Sequence, residues 1–203
     1  MSTIKTIVFD LYHTLIEIKE SNHFFLRLFK DSQNGFGMDV SSYLQLIMKT
    51  KLNDLSTILP PEFNILFHKN LKHLEEELNS IIVYTEVFNV LQDLNKEFRI
   101  FLVSNLACPY KAPVFHHNLD QYFEKMIFSS DVGYLKPDRR IFSEVEKLTA
   151  NMPKEILMIG DSFKSDIVGA KNMGWNYLRV NRFTSISKDY EIKDLNLIRK
   201  HIL

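Results

Sequence analysis

Five short apolar runs, at residues 6–9, 100–103, 126–128, 156–159 and 177–180, constrain this chain more than any other feature. Each is rich in β-branched or large apolar side chains, and none alternates clearly between apolar and polar. That pattern predicts strands covered on both faces, as in a parallel sheet. Helical patterns separate the later runs. Val87, Leu91, Leu94 and Phe98 recur at helical spacing behind Thr85, a candidate N-cap, and Gly174 follows residues 165–173 as a C-cap glycine. Strand and helix in regular alternation predict an α/β fold with a doubly wound, Rossmann-like parallel sheet.

One interval breaks the alternation. Residues 17–80 contain no credible strand and carry two amphipathic stripes. The first is Leu44, Ile47, Met48, Leu52 and Leu55; the second is Phe63, Leu66, Phe67, Leu71, Leu74 and Leu78. Gly35, Gly37 and Pro60-Pro61 divide the pieces. The expected organisation is an α/β core of residues 1–16 and 81–203, with an all-helical insertion at 17–80 directly after the first strand. Phe24, Phe25, Leu28 and Phe29 read as packing of that insertion in preference to a pocket wall. Glu75-Glu76-Glu77 reads as a solvated helix face, and residues 191–202 as a terminal helix with Leu195 and Ile198 inward.

Composition narrows the function classes. Lys+Arg 25 balances Asp+Glu 25, so no basic field favours nucleic acid or acidic membranes. Cys108 is the single cysteine and cannot form an internal disulfide. The opening MSTIKTIVFD lacks the pattern of a signal peptide, and no run approaches the length of a membrane span, so a cytoplasmic location is expected. His116 and His117 are neighbours and point about 100° apart on a helix, which suits a surface pair better than a metal site.

Four polar clusters follow strands at what topology makes one edge of the sheet. They are Asp10 with Tyr12 and His13, Ser104-Asn105, Lys136-Pro137-Asp138, and Gly160-Asp161-Ser162 with Asp166. Ligands of open α/β sheets bind at that edge. Singly, each residue has a plain alternative: Asp10 as a strand end, Lys136 as a loop lysine, Ser104 as a turn former. Likewise Asp161-Ser162 reads as a helix N-cap and Asp166 as a first-turn acid. Together they suit phosphoryl transfer. A carboxylate attacks phosphorus, while Lys136 and Ser104 supply the donors that phosphoryl oxygens need. A Mg²⁺ held by carboxylates such as Asp10 and Asp161 would relieve the repulsion between Asp10 and a phosphate.

In order, FDLYHTL, VSN, LKPDRRIF and IGDSFKSDIVGAKNMG resemble the four motifs of the haloacid dehalogenase-like hydrolase superfamily. The match runs from Thr3 to Arg182 apart from the insertion, which lies where that family carries its helical cap. The resemblance implies Asp10 as nucleophile, with Ser104 and Lys136 gripping the phosphoryl group beside Asn105. It implies Mg²⁺ on Asp10, the backbone carbonyl of Tyr12 and Asp161. Asp166 would then support the metal through water or orient Lys136. The implied partner is a small phosphorylated molecule.

Tyr12 departs from the pattern, because family phosphatases usually carry there a second aspartate that protonates the leaving oxygen. A free tyrosine titrates near pH 10 and is a poor general base at neutrality. Three readings follow: a phosphatase whose leaving group needs little acid help, a module that binds a phosphorylated ligand with weak or no turnover, and a 2-haloacid dehalogenase. The dehalogenase branch shares the tyrosine but typically lacks the metal-binding aspartate of the fourth motif, and Asp161 and Asp166 are both present. The ranking therefore favours a Mg²⁺-dependent phosphatase.

Overall fold

The computed structural model describes residues 4–183 and 185–202. Its strands, in chain order, are β1 (Thr6–Phe9), β2 (Ile16–Ile18), β3 (Ile81–Val83), β4 (Arg99–Ser104), β5 (Lys125–Phe128), β6 (Ile156–Gly160), β7 (Asn176–Val180) and β8 (Glu191–Ile192). Six form a parallel sheet in the order β5-β4-β1-β6-β7-β8. β1 lies between β4 and β6 with all four residues buried. Successive side chains leave a strand on opposite faces. Ile7 and Phe9 therefore join Ile100, Leu102, Leu157 and Ile159 on one face, and Val8 joins Phe101, Val103, Ile156 and Met158 on the other. Both faces are covered, which is why the strand sequences do not alternate.

The helices follow as α1 (Phe24–Asp31), α2 (Val40–Lys49), α3 (Leu52–Ile58), α4 (Pro61–Lys69), α5 (Leu71–Asn79), α6 (Val87–Leu94), α7 (Ala112–His116), α8 (Ser129–Val132), α9 (Arg139–Thr149), α10 (Val168–Met173) and α11 (Arg199–Ile202). On the Ile7 face α6 buries Val87, Leu91 and Leu94 beside Leu195 and Ile198. On the Val8 face α9 buries Ile141, Phe142 and Val145 against Ala170 and Met173 of α10. A Cβ at Gly169 would stand 2.2 Å from the Phe142 ring, so only glycine lets α10 close on α9. Helices α1–α5 have an apolar cluster of their own around Phe24, Leu28, Tyr43, Ile47, Phe63 and Phe67.

The parallel α/β fold stands as expected, and four local expectations need correction. The interval 17–80 is not free of strand: β2 pairs antiparallel with β3, Ile18 opposite Ile81. Three residues are too few to show a period, and their partner lies far along the chain. Thr85 does not cap α6. The residue before Val87 is Glu86, which makes no side-chain cap and pairs with Arg182 at 2.8 Å. Residues 191–202 are not one helix. Glu191 and Ile192 join the sheet beside Arg179 and Val180, and helix resumes at Arg199 after a short turn, although Leu195 and Ile198 do face inward. The glutamate run is not a solvated face throughout, because Glu77 is only 2% exposed.

Candidate active site

β1 runs out from the middle of the sheet into Asp10, whose N–H donates to the Ile159 carbonyl at 2.9 Å. From β1 the chain builds outward through β4 and β5, then returns to β6 on the opposite side. The carboxyl ends of β1, β4 and β6 thus meet where the strand order reverses, the usual ligand crevice of open α/β sheets. Ser104 ends β4, Gly160 ends β6, and Lys136 follows β5 and α8.

These residues converge on one buried network. Lys136 is 4% exposed, and its Nζ donates to Asp10 Oδ1 and to the Val103 carbonyl, both at 2.7 Å. The same Nζ lies 2.7 Å from Asp166 Oδ1. Ser104 Oγ donates to Asp10 Oδ1 at 3.0 Å. The Ser162 N–H donates to Asp166 Oδ2 at 3.0 Å, and Ser162 also N-caps the following turn. A Cβ at Gly160 would sit 2.3 Å from Asp166 Oδ2, so the glycine makes room for this carboxylate. Burial pulls the Lys136 ammonium down, but Asp10 and Asp166 outweigh it and hold the group above its ordinary value. Burial lifts the Asp166 carboxyl, with Lys136 opposing and Asp10 adding to the rise. For Asp161, burial and then the Asp166 charge raise the carboxyl.

Asp10, Asp161 and Asp166 bring oxygens within 4.8 Å of one another. Three carboxylates face one ammonium, and Lys136 takes a single oxygen from each of Asp10 and Asp166. Hard oxygen donors in such charge excess fit a divalent cation of the Mg²⁺ type.

The residues beside the motifs diverge. His13 adopts φ 58° and borders an exposed cleft with Asp161, Arg179 and Arg182. Tyr12 turns the other way, and its hydroxyl donates to the Tyr110 carbonyl at 3.0 Å. Burial, with the charges of Glu77 and Asp10, pushes the Tyr12 phenol above its ordinary value. The Asn105 amide is held at both ends by the Lys136 backbone, Nδ2 to the carbonyl at 2.9 Å and Oδ1 from the N–H at 2.7 Å.

Glu77 escaped the sequence reading. Its carboxylate accepts from the N–H groups of Asn22 and Phe24 and from Ser21 Oγ, which caps α1 from across the chain. A glutamate inside a run of three carries no local mark of this role.

Comparison with known proteins places this architecture. The chain is 28% identical over 191 residues to the pyrophosphatase PpaX of Bacillus mycoides, covering 88% of this chain and 84% of that one. It is 26% identical over 215 residues to the glyceraldehyde 3-phosphate phosphatase of Pyrococcus furiosus, covering 94% and 87%. The same-named phosphatase of Methanothermobacter thermautotrophicus is 28% identical over 102 residues, an alignment spanning 49% of this chain and only 45% of that relative. The solved structure of a HAD phosphatase from Thermococcus onnurineus shares the fold with a TM-score of 0.69 at 22% identity, covering 98% of both chains. The family model for haloacid dehalogenase-like hydrolases matches residues 4–174, and the chain belongs to that family.

Proposed function

We propose that this protein is a Mg²⁺-dependent phosphohydrolase that cleaves small phosphate monoesters through an aspartyl-phosphate on Asp10. The observation that carries the reading is Asp10 Oδ1 pinned by both Lys136 Nζ and Ser104 Oγ, with Asp161 and Asp166 close by. One carboxylate oxygen is engaged by donors, so the other can be presented to phosphorus. Asp10 attacks, the phosphorus–oxygen ester bond breaks towards the leaving group, and water then hydrolyses the acyl-phosphate to restore the carboxylate and release phosphate. Lys136 and Ser104 stabilise charge on the phosphoryl oxygens. Asp10, the Tyr12 backbone carbonyl and Asp161 would hold the cation, with Asp166 behind them. When bound, the cation would neutralise the mutual repulsion of carboxylate and phosphate. Residues 17–80 are read as a cap that covers this crevice and excludes water. The phosphatase names of the two relatives aligned over most of the chain support the reaction class.

A second reading, a phospho-ligand-binding module with little turnover, is favoured by one observation: Tyr12 commits its hydroxyl to Tyr110 and offers no acid to a leaving group. Phosphate release from a panel of phosphorylated metabolites and an activated aryl phosphate, with Mg²⁺ and with chelator, separates the two. The phosphohydrolase releases phosphate only with the metal, and Asp10→Asn abolishes release. Activity in Asp10→Asn equal to wild type would remove Asp10 as nucleophile.

A further inference from the structure

A cavity of about 250 Å³ opens beside the Asp10 loop, between α1 and α2 on one side and the segment after β4 on the other. Its walls are Ile18, Phe25, Leu44, Ile47, Met48 and Leu106, together with the rings of Tyr12 and Tyr110 and the amide of Asn105. It adjoins the site. Tyr12 stands two residues from Asp10, and Asn105 adjoins Ser104 and is bonded to the Lys136 backbone.

The side-chain polar atoms of Tyr12 and Asn105 in this wall are already engaged. The Tyr12 hydroxyl donates to the Tyr110 carbonyl. The Asn105 amide bonds Lys136 at both ends. Two backbone groups are committed as well: the Leu106 N–H donates to Ser129 Oγ, and the Met48 carbonyl accepts from the same hydroxyl. A polyol entering the cavity would surrender its hydrogen bonds to water and find few in return.

We infer that the organic part of the substrate is compact and apolar, an uncharged carbocycle or short alkyl group without hydroxyls. The cavity has room for roughly eight groups the size of a water molecule, about one substituted six-membered ring. The inference rests on the reading of the Asp10 site as a phosphohydrolase, and it specifies that site's substrate class.

The test compares cyclohexylmethyl phosphate with glucose 6-phosphate. Both are primary esters of a ring-bearing methylene, and they differ chiefly in ring hydroxyls. The wild-type protein should prefer the carbocycle by about 10²-fold in kcat/KM, and Leu44→Gln should reduce that ratio by about tenfold through KM. Preference for glucose 6-phosphate, or equal rates, overturns the inference and leaves the phosphohydrolase standing. If neither ester is hydrolysed, the metabolite and aryl-phosphate panel decides the phosphohydrolase reading, and calorimetry decides the cavity. The corresponding phosphonates, with methylene replacing the bridging oxygen, bind without turnover. Tighter binding of the carbocyclic phosphonate, weakened in Leu44→Gln, upholds the apolar class. Equal or undetectable binding of the two overturns it.

Discussion

Lys136 is the residue on which most of the site's electrostatics depend. Its ammonium lies between two buried carboxylates and also caps the Val103 carbonyl at the end of β4. Removing one partner from a buried ion network leaves charge uncompensated, at a cost of about 3–5 kcal/mol. Lys136→Met is therefore expected to lower the thermal midpoint of the metal-free protein and to reduce kcat by about 10²–10³. Calorimetric melting and phosphate-release kinetics check the two halves, and an unchanged midpoint would contradict the network. Tyr12 makes the opposite prediction. Its hydroxyl has one visible partner, the Tyr110 carbonyl, so Tyr12→Phe should cost about 1 kcal/mol of stability. The same change should alter kcat far less than the ~10²-fold expected for loss of a general acid. A full hundredfold loss would make Tyr12 a proton donor after all.

At the scale of elements, Glu77 joins pieces that the sequence keeps apart. It sits on α5 and accepts from the N–H of Asn22 and from that of Phe24, the first residue of α1. The residue at the N-cap of α1, His23, lies in the left-handed region and makes no side-chain cap. Glu77→Ala strands these buried donors and is expected to destabilise the protein by about 2–3 kcal/mol, read as a lower midpoint in urea. Glu75→Ala, on an exposed neighbour, serves as control and should shift it by less than about 0.5 kcal/mol. The glycines act at the same scale through absent atoms. Gly160 admits Asp166 and Gly169 admits the Phe142 ring, so two spacings in the fourth motif follow from close approach of packed elements.

Across the whole molecule, Ser129 is one point where α2 and the parallel sheet are tied. Its hydroxyl is fully buried, donates to the Met48 carbonyl at 2.7 Å and accepts from the Leu106 N–H at 2.9 Å. Ser129→Ala should cost about 1–3 kcal/mol. It should also speed hydrogen exchange at the Leu106 amide and raise KM, because Met48 and Leu106 both wall the cavity beside Asp10. Exchange at Leu106 unchanged from wild type would mean that the tie is not what holds this joint.

Legibility followed the range of the interactions concerned. The runs that became β1, β4, β5, β6 and β7 announced themselves because a strand buried on both faces must be apolar at nearly every position. Parallel topology then sends loops from successive strands to one edge, so Asp10, Ser104, Lys136, Asp161 and Asp166 were visible as a set before any distance was known. β2 and β8 were not legible, since two or three residues carry no period and their partners are remote in the chain. Glu77 as a helix cap, the opposite directions of Tyr12 and His13, and an apolar cavity beside the Asp10 loop were equally hidden. Each depends on contacts between segments that sequence spacing does not relate. The sequence by itself determined which runs are strands buried on both faces and the chemical inventory at the sheet's edge, because both are local consequences of residue type. Only the tertiary structure decided which oxygens meet Lys136 and what surface lies beside the Asp10 loop, because those are set by packing across the chain.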